Sequence, residues 1–162
     1  MSKLRLPAID PATIKANIGS GYPERYEADS AACEKRFLGD ATGLTHFGVN
    51  IVRLPPGCAS AQRHWHKHED EFVYVLEGEV ELVTDAGSQT LKRGMAAGFP
   101  AGKADGHKLV NSSGRDALYL EVGDRLADDE VEYPGIDLRL IRVEGKETFL
   151  HRDGRPWKPG EK

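Results

Sequence analysis

The punctuation of this chain restricts its fold more than any other feature. Gly, Pro, Asn and Asp recur at intervals of about eight to twelve residues, and the segments between them are short and strand-like. Phe47, Val49 and Ile51 alternate with His46, Gly48 and Asn50, the period of a half-buried strand. Similar segments run from Ala32 to Leu38, Glu71 to Glu77, Val80 to Val83, Ser88 to Lys92, His107 to Asn111 and Ala117 to Gly123. Turns fall at Gly39 to Leu44, Pro55-Pro56-Gly57, Gly78 and Asp85-Ala86-Gly87. No long amphipathic helix interrupts them. The pattern predicts an all-β sandwich or barrel.

One helical signal stands at the N-terminal end. Asp10 is a helix cap, Pro11 suits the first helical position and Gly19 stops the run, so a short helix of two turns at most is expected there. The reading divides the chain into an N-terminal arm (1–31), a barrel core (32–125) and a C-terminal hairpin with a surface tail (126–162) packed on the barrel. That hairpin should pair Asp137 to Val143 with Glu147 to Leu150.

Composition removes several function classes. The net charge is −4, and Lys and Arg are scattered among acids, so the basic stripe that draws nucleic acid is missing. No apolar run approaches the length of a bilayer span, so no membrane partner is expected. The start, from Met1 to Pro7, lacks the apolar core of a secretory signal, which predicts a cytoplasmic location. Two cysteines, Cys33 and Cys58, fit reduced thiols better than a disulfide framework.

Chemistry concentrates in the stretch from Gln62 to Gly78. On an extended strand, side chains two apart share a face, so His64 and His66 project together, an arrangement suited to one metal ion. Glu71 has the opposite parity and reaches the same ion only if the chain turns or bulges within Lys67 to Asp70. His68 falls at that turn, as a solvent-facing or supporting imidazole and a weak candidate for acid–base work. Val73 and Val75 share the parity of Glu71 and should line a cavity, whereas Phe72, Tyr74 and Leu76 should pack between sheets or subunits. A fourth ligand has to come from elsewhere: His107 follows a Gly-rich turn and stands out beside His46 and His151. Imidazole suits Zn, Fe, Ni and Cu, and an added carboxylate suits a six-coordinate ion such as Fe or Mn.

Gly57, His64, His66, Glu71 and Gly78 together resemble the first cupin motif. Gly94, Pro100, Gly102, His107 and Asn111 resemble the second. The gap from Gly57 to His64 is one residue longer than usual and the gap from Gly102 to His107 two residues longer, so the aim of His107 depends on its loop. Flanking pieces also resemble a subfamily of small single-domain bacterial cupins. The resemblance implies a double-stranded β-helix, or jelly roll. It further implies one divalent transition metal (Fe, Mn, Zn or Ni) held by His64, His66, Glu71 and His107, with Asn111 as a supporting residue. Two open coordination positions on such an ion suit a small-molecule substrate in an oxygenase, isomerase or decarboxylase reaction. The alternative is a non-catalytic small-ligand-binding or sensing module. Metal affinity should fall below a pH of roughly 6, where free imidazole takes up a proton. A homodimer is expected, both from related cupins and because open sheets invite pairing.

Overall fold

A computed structural model describes residues 4–161. Met1 to Lys3, on which part of the cytoplasmic expectation rests, and Lys162 lie outside them. The elements are β1 (Asn17–Ile18), β2 (Glu34–Phe37), α1 (Leu38–Thr42), β3 (Phe47–Leu54), β4 (Trp65–His66), β5 (Glu71–Glu77) and β6 (Glu79–Thr84). They continue with β7 (Gly87–Lys92), β8 (Ala96–Phe99), β9 (Lys108–Val110), β10 (Ala117–Asp124), β11 (Asp129–Glu132), β12 (Arg139–Val143) and β13 (Lys146–Leu150). All strand pairings are antiparallel. They build a six-stranded sheet ordered β1-β2-β3-β10-β5-β8, a four-stranded sheet β13-β12-β11-β4 and a three-stranded sheet β7-β6-β9. This is the jelly roll that the strand spacing and the motifs predict.

The N-terminal helix is one 3-10 turn, Pro11–Thr13, with the Asp10 carboxylate accepting from the Ala12 amide at 3.0 Å. The chain then extends at once, because Asn17 pairs with Lys35 across β1 and β2. The expected turn at Gly39 to Leu44 is the helix α1, closed by Gly43 in the left-handed conformation. β11 was not anticipated: its Asp-Glu-Val-Glu sequence reads as an acidic patch, yet Asp129 and Val131 are its buried face.

Two cores hold the layers together. Val52, Leu54, Val73, Val75, Val80, Leu82, Leu109 and Tyr119 fill the barrel between its sheets. Tyr26, Val131, Tyr133, Leu138 and Leu140 form a second cluster under the C-terminal strands. Trp157, in the tail expected at the surface, packs on that second cluster and stacks on His151 with ring centroids 3.9 Å apart. Gly78 joins β5 to β6 at φ 72°, and a Cβ there would come within 2.7 Å of the Asp116 carbonyl oxygen, so the hairpin needs glycine.

Parity on β3 runs opposite to the apolar pattern. Gly48, Asn50, Val52 and Leu54 are buried inside, while Phe47 is exposed and Val49 and Ile51 are only half-buried. The polar parity faces inward because the barrel interior here is a polar cavity.

Candidate metal centre

The putting together of this site begins with a change of sheet. β4 pairs with β11, whereas β5 pairs with β10 and β8. Between them Lys67 to Asp70 bend, held by bonds from the Lys67 amide to the Glu130 carbonyl (2.9 Å) and from the His68 amide to the Asp129 carboxylate (3.0 Å). The bend resolves the parity conflict, and Glu71 turns inward beside the two histidines. His68 itself is exposed, and its amide is what bonds to Asp129.

His107 arrives by a different device. His64 and His107 face each other in an isolated antiparallel bridge, with N–H···O bonds of 3.0 and 2.8 Å in the two directions. The bridge brings their rings to a centroid separation of 4.8 Å. The longer loop before His107 therefore leaves its aim intact. Phe99 stacks on the His107 ring at 3.5 Å and fixes its plane.

All four expected ligands converge. Glu71 Oε2 lies 3.7 Å from His64 Nε2, 3.4 Å from His66 Nε2 and 3.1 Å from His107 Nε2. Neighbouring donors on an octahedral ion with bonds of about 2.1 Å sit about 3 Å apart, so this spacing fits one cation. The same Glu71 oxygen is buried and has no hydrogen-bond partner. A buried, unpartnered carboxylate oxygen facing three imidazoles is the environment a divalent metal completes. His64, His66 and Glu71 bring their ligand atoms within 4.8 Å of one another, a grouping that leaves His107 outside, and His66, Glu69 and Asp129 form a second such group.

Supporting contacts set the tautomers. His64 Nδ1 bonds the Gln62 carbonyl oxygen at 2.8 Å and His66 Nδ1 bonds the Asp129 carboxylate at 2.6 Å, which leaves each Nε2 free for a metal. His107 Nδ1 is buried without a partner. Asp129 is 1% exposed, and the equally hidden Glu69 sits 3.6 Å from the same His66 nitrogen while accepting from Arg142. Neither carboxylate was found from sequence: both lie in acidic runs that read as solvated, and only the folded chain shows their burial.

Burial, and the neighbouring imidazoles His107 and His66, push the His64 pKa down to about 4, against the pull of Glu71. Its lone pair is thus available well below the pH of roughly 6 expected for free imidazole. For Glu71, burial opposes ionisation, but the His107 nitrogen 3.1 Å away and the two other imidazoles outweigh it and hold the carboxyl well below its usual range.

The cluster opens into a cavity of about 590 Å³. Val73 lines its wall, as its parity with Glu71 requires, while Phe72 and Tyr74 point outward. Gly123 lies opposite Glu71, and a Cβ there would press within 3.3 Å of the Asp70 carbonyl and 3.6 Å of Glu71 Cγ. Asn111, fully buried, donates to the Leu54 and Arg115 carbonyls at 2.7 Å each. His46 is exposed, and His151 is buried against Trp157 in the second core, so neither joins the site.

The cupin domain family matches residues 50–123, a span containing His64, His66, Glu71 and His107. A protein from Silicibacter pomeroyi, described as a sugar phosphate isomerase from a cupin superfamily, shares 40% identity over 94% of this chain and 97% of its own, with a TM-score of 0.90. The chain belongs to the cupin superfamily. This cupin is also similar to a protein from Acidithiobacillus ferrooxidans, provisionally named a sugar phosphate isomerase, with 33% identity, coverage of 76% and 78% and a TM-score of 0.71. It resembles a polyketide cyclase from Streptomyces resistomycificus at 25% identity, coverage of 74% and 80% and a TM-score of 0.61. A search of curated proteins finds no match for it.

Proposed function

We propose that this cupin is a metal-dependent isomerase acting on a small phosphorylated sugar. The observation that carries the reading is Glu71 Oε2, buried, unpartnered and within 3.7 Å of three imidazole nitrogens. His64, His66, Glu71 and His107 would hold one divalent ion, Fe, Mn, Zn or Ni. Bound there, the ion supplies Lewis acidity toward a carbonyl oxygen.

The chain provides the rest. Val73, Phe99 and Tyr119 wall the cavity with apolar surface that limits water. Arg125 and Arg142 line the same cavity and offer guanidinium groups to a phosphate. Arg125 is the readier of the two, because its partner Asp40 is half-exposed and a surface pair gives way at little cost. Arg142 is held by Glu69 and Glu147. The likeness to the Silicibacter pomeroyi protein extends over nearly the whole chain and so takes in the cavity walls as well as the cupin motifs, which supports the same substrate class.

Metal analysis of the protein as isolated, followed by assay with aldose phosphates, tests the reading. The expected result is about one divalent transition metal per chain and conversion of an aldose phosphate to its ketose. His66→Ala should remove both. Arg125→Ala should raise KM about tenfold with kcat little changed, the pattern for lost ground-state binding. Conversion without metal, or full metal retention by His66→Ala, would overturn it.

A further inference from the structure

Lys35 and Glu121 bring a second polar cluster to the same cavity, on the sheet that also carries Glu71. Glu121 on β10 accepts from Lys35 Nζ at 2.8 Å and from Asn50 Nδ2 at 2.9 Å. Both bonds end on one oxygen, Oε1, and among the described residues Oε2 has no hydrogen-bond partner. Asn50 is 9% exposed, and its Oδ1 is buried without a partner. A purely structural ion pair would satisfy its own atoms; this one keeps an unused carboxylate oxygen and an unused buried acceptor beside a cavity.

Register relates the cluster to the metal centre. Glu71 on β5 lies across from Gly123, and Val73 lies across from Glu121. Glu121 and Glu71 are therefore diagonal neighbours on the inner face, and such pairs are about 7–8 Å apart. A few-atom substrate spans that distance. Across β10 from Gly123, Gly48 gives its space to the Arg125 side chain, whose Nε would lie 3.3 Å from a Cβ at that position. Both glutamates contribute to the main cavity. Burial disfavours the charge on Lys35, but Glu121 beside it more than compensates and raises the ammonium pKa above its ordinary value, so Lys35 is charged at neutral pH.

We propose that Glu121 is the proton-transfer group of the isomerisation, with Lys35 and Asn50 as positioning residues that anchor Oε1 and leave Oε2 to the substrate. This rests on the isomerase reading above. Oε2 takes the proton from the carbon beside the carbonyl; that C–H pair becomes the C=C bond of an enediol as the carbonyl π pair moves to its oxygen. The carboxylic acid then returns the proton to the former carbonyl carbon, using the C=C pair, while the adjacent hydroxyl becomes the new carbonyl and its proton passes to the first oxygen. Nothing is oxidised or reduced overall, and Glu121 ends as it began.

The test is carbon-bound deuterium uptake in heavy water, followed by NMR, with the metal-loaded protein and a set of aldohexose and aldopentose monophosphates. Wild-type protein should place deuterium on the exchanging carbon of one of these. Glu121→Gln should lower that rate by about a hundredfold or more while keeping its metal content and its affinity for the same sugar phosphate. Glu121→Asp retains the charge that Lys35 pairs with and guards against a Gln variant that does not fold; it should lose about tenfold with metal retained. Exchange by either variant at the wild-type rate overturns the role of Glu121 and leaves the isomerase reading standing. Absence of exchange by the wild type with every probe overturns the isomerase reading and this role with it.

Discussion

His66 is clamped from behind. Its Nδ1 meets the buried Asp129 at 2.6 Å, and that carboxylate also receives the His68 amide, so the ring is fixed in plane and tautomer before any metal arrives. Asp129→Asn should weaken metal affinity by about 10–100-fold, measured by competition with a chromophoric chelator, and an unchanged affinity would remove Asp129 from this role. At this scale the four converging side chains were legible and the residues behind them were not. His64, His66, Glu71 and His107 announce themselves by residue type and spacing. Asp129 and Glu69 carry no such mark, since an acid is solvated by default and nothing local in the sequence reports the burial that β11 and Arg142 impose on them. The parity conflict at Glu71 was visible in the sequence, but its solution, a strand that ends in one sheet and resumes in another, depends on pairing partners far along the chain.

β3 shows where a whole element can be read correctly in type and wrongly in face. Alternation identified the strand, yet its apolar parity points away from the barrel. The usual rule puts the apolar side inward, and it fails when the interior is a polar cavity and the outer surface is itself apolar. Asn50 and Gly48 face inward, where one holds Glu121 and the other leaves room for the Arg125 side chain. The strand ends are secured by polar contacts as well. Asn111, just after β9, ties the end of β3 at Leu54 to the turn at Arg115, and its Oδ1 receives the Ser113 amide at 3.0 Å. Asn111→Ala should cost about 2–4 kcal/mol in chemical denaturation, because two carbonyls lose their donor in a site closed to water. A cost below about 1 kcal/mol would contradict that account.

The apolar outer face has a meaning for the molecule as a whole. Val49, Ile51, Leu120, Val122, Phe72 and Tyr74 are side by side on β3, β10 and β5, and Phe72 and Tyr74 are 43% and 39% exposed. Ionised groups stay at its border, where Glu34 and Arg53 already pair with each other. A charged partner finds nothing to match there, whereas a second copy of the same face, apolar at its centre, does. We propose a homodimer through this sheet. Light scattering should give a dimer mass for the native chain and a monomer mass for Phe72→Glu with Tyr74→Glu; a native monomer would sink the proposal.

The bridge between His64 and His107 carries a further consequence. Two backbone hydrogen bonds, and not the contour of the intervening loop, decide where His107 lands. The segment from Gly102 to His107 can then gain or lose residues through descent without moving the His107 ring. Relatives that differ in this gap can share one coordination geometry, and a strict count of residues between motif positions would pass over some of them.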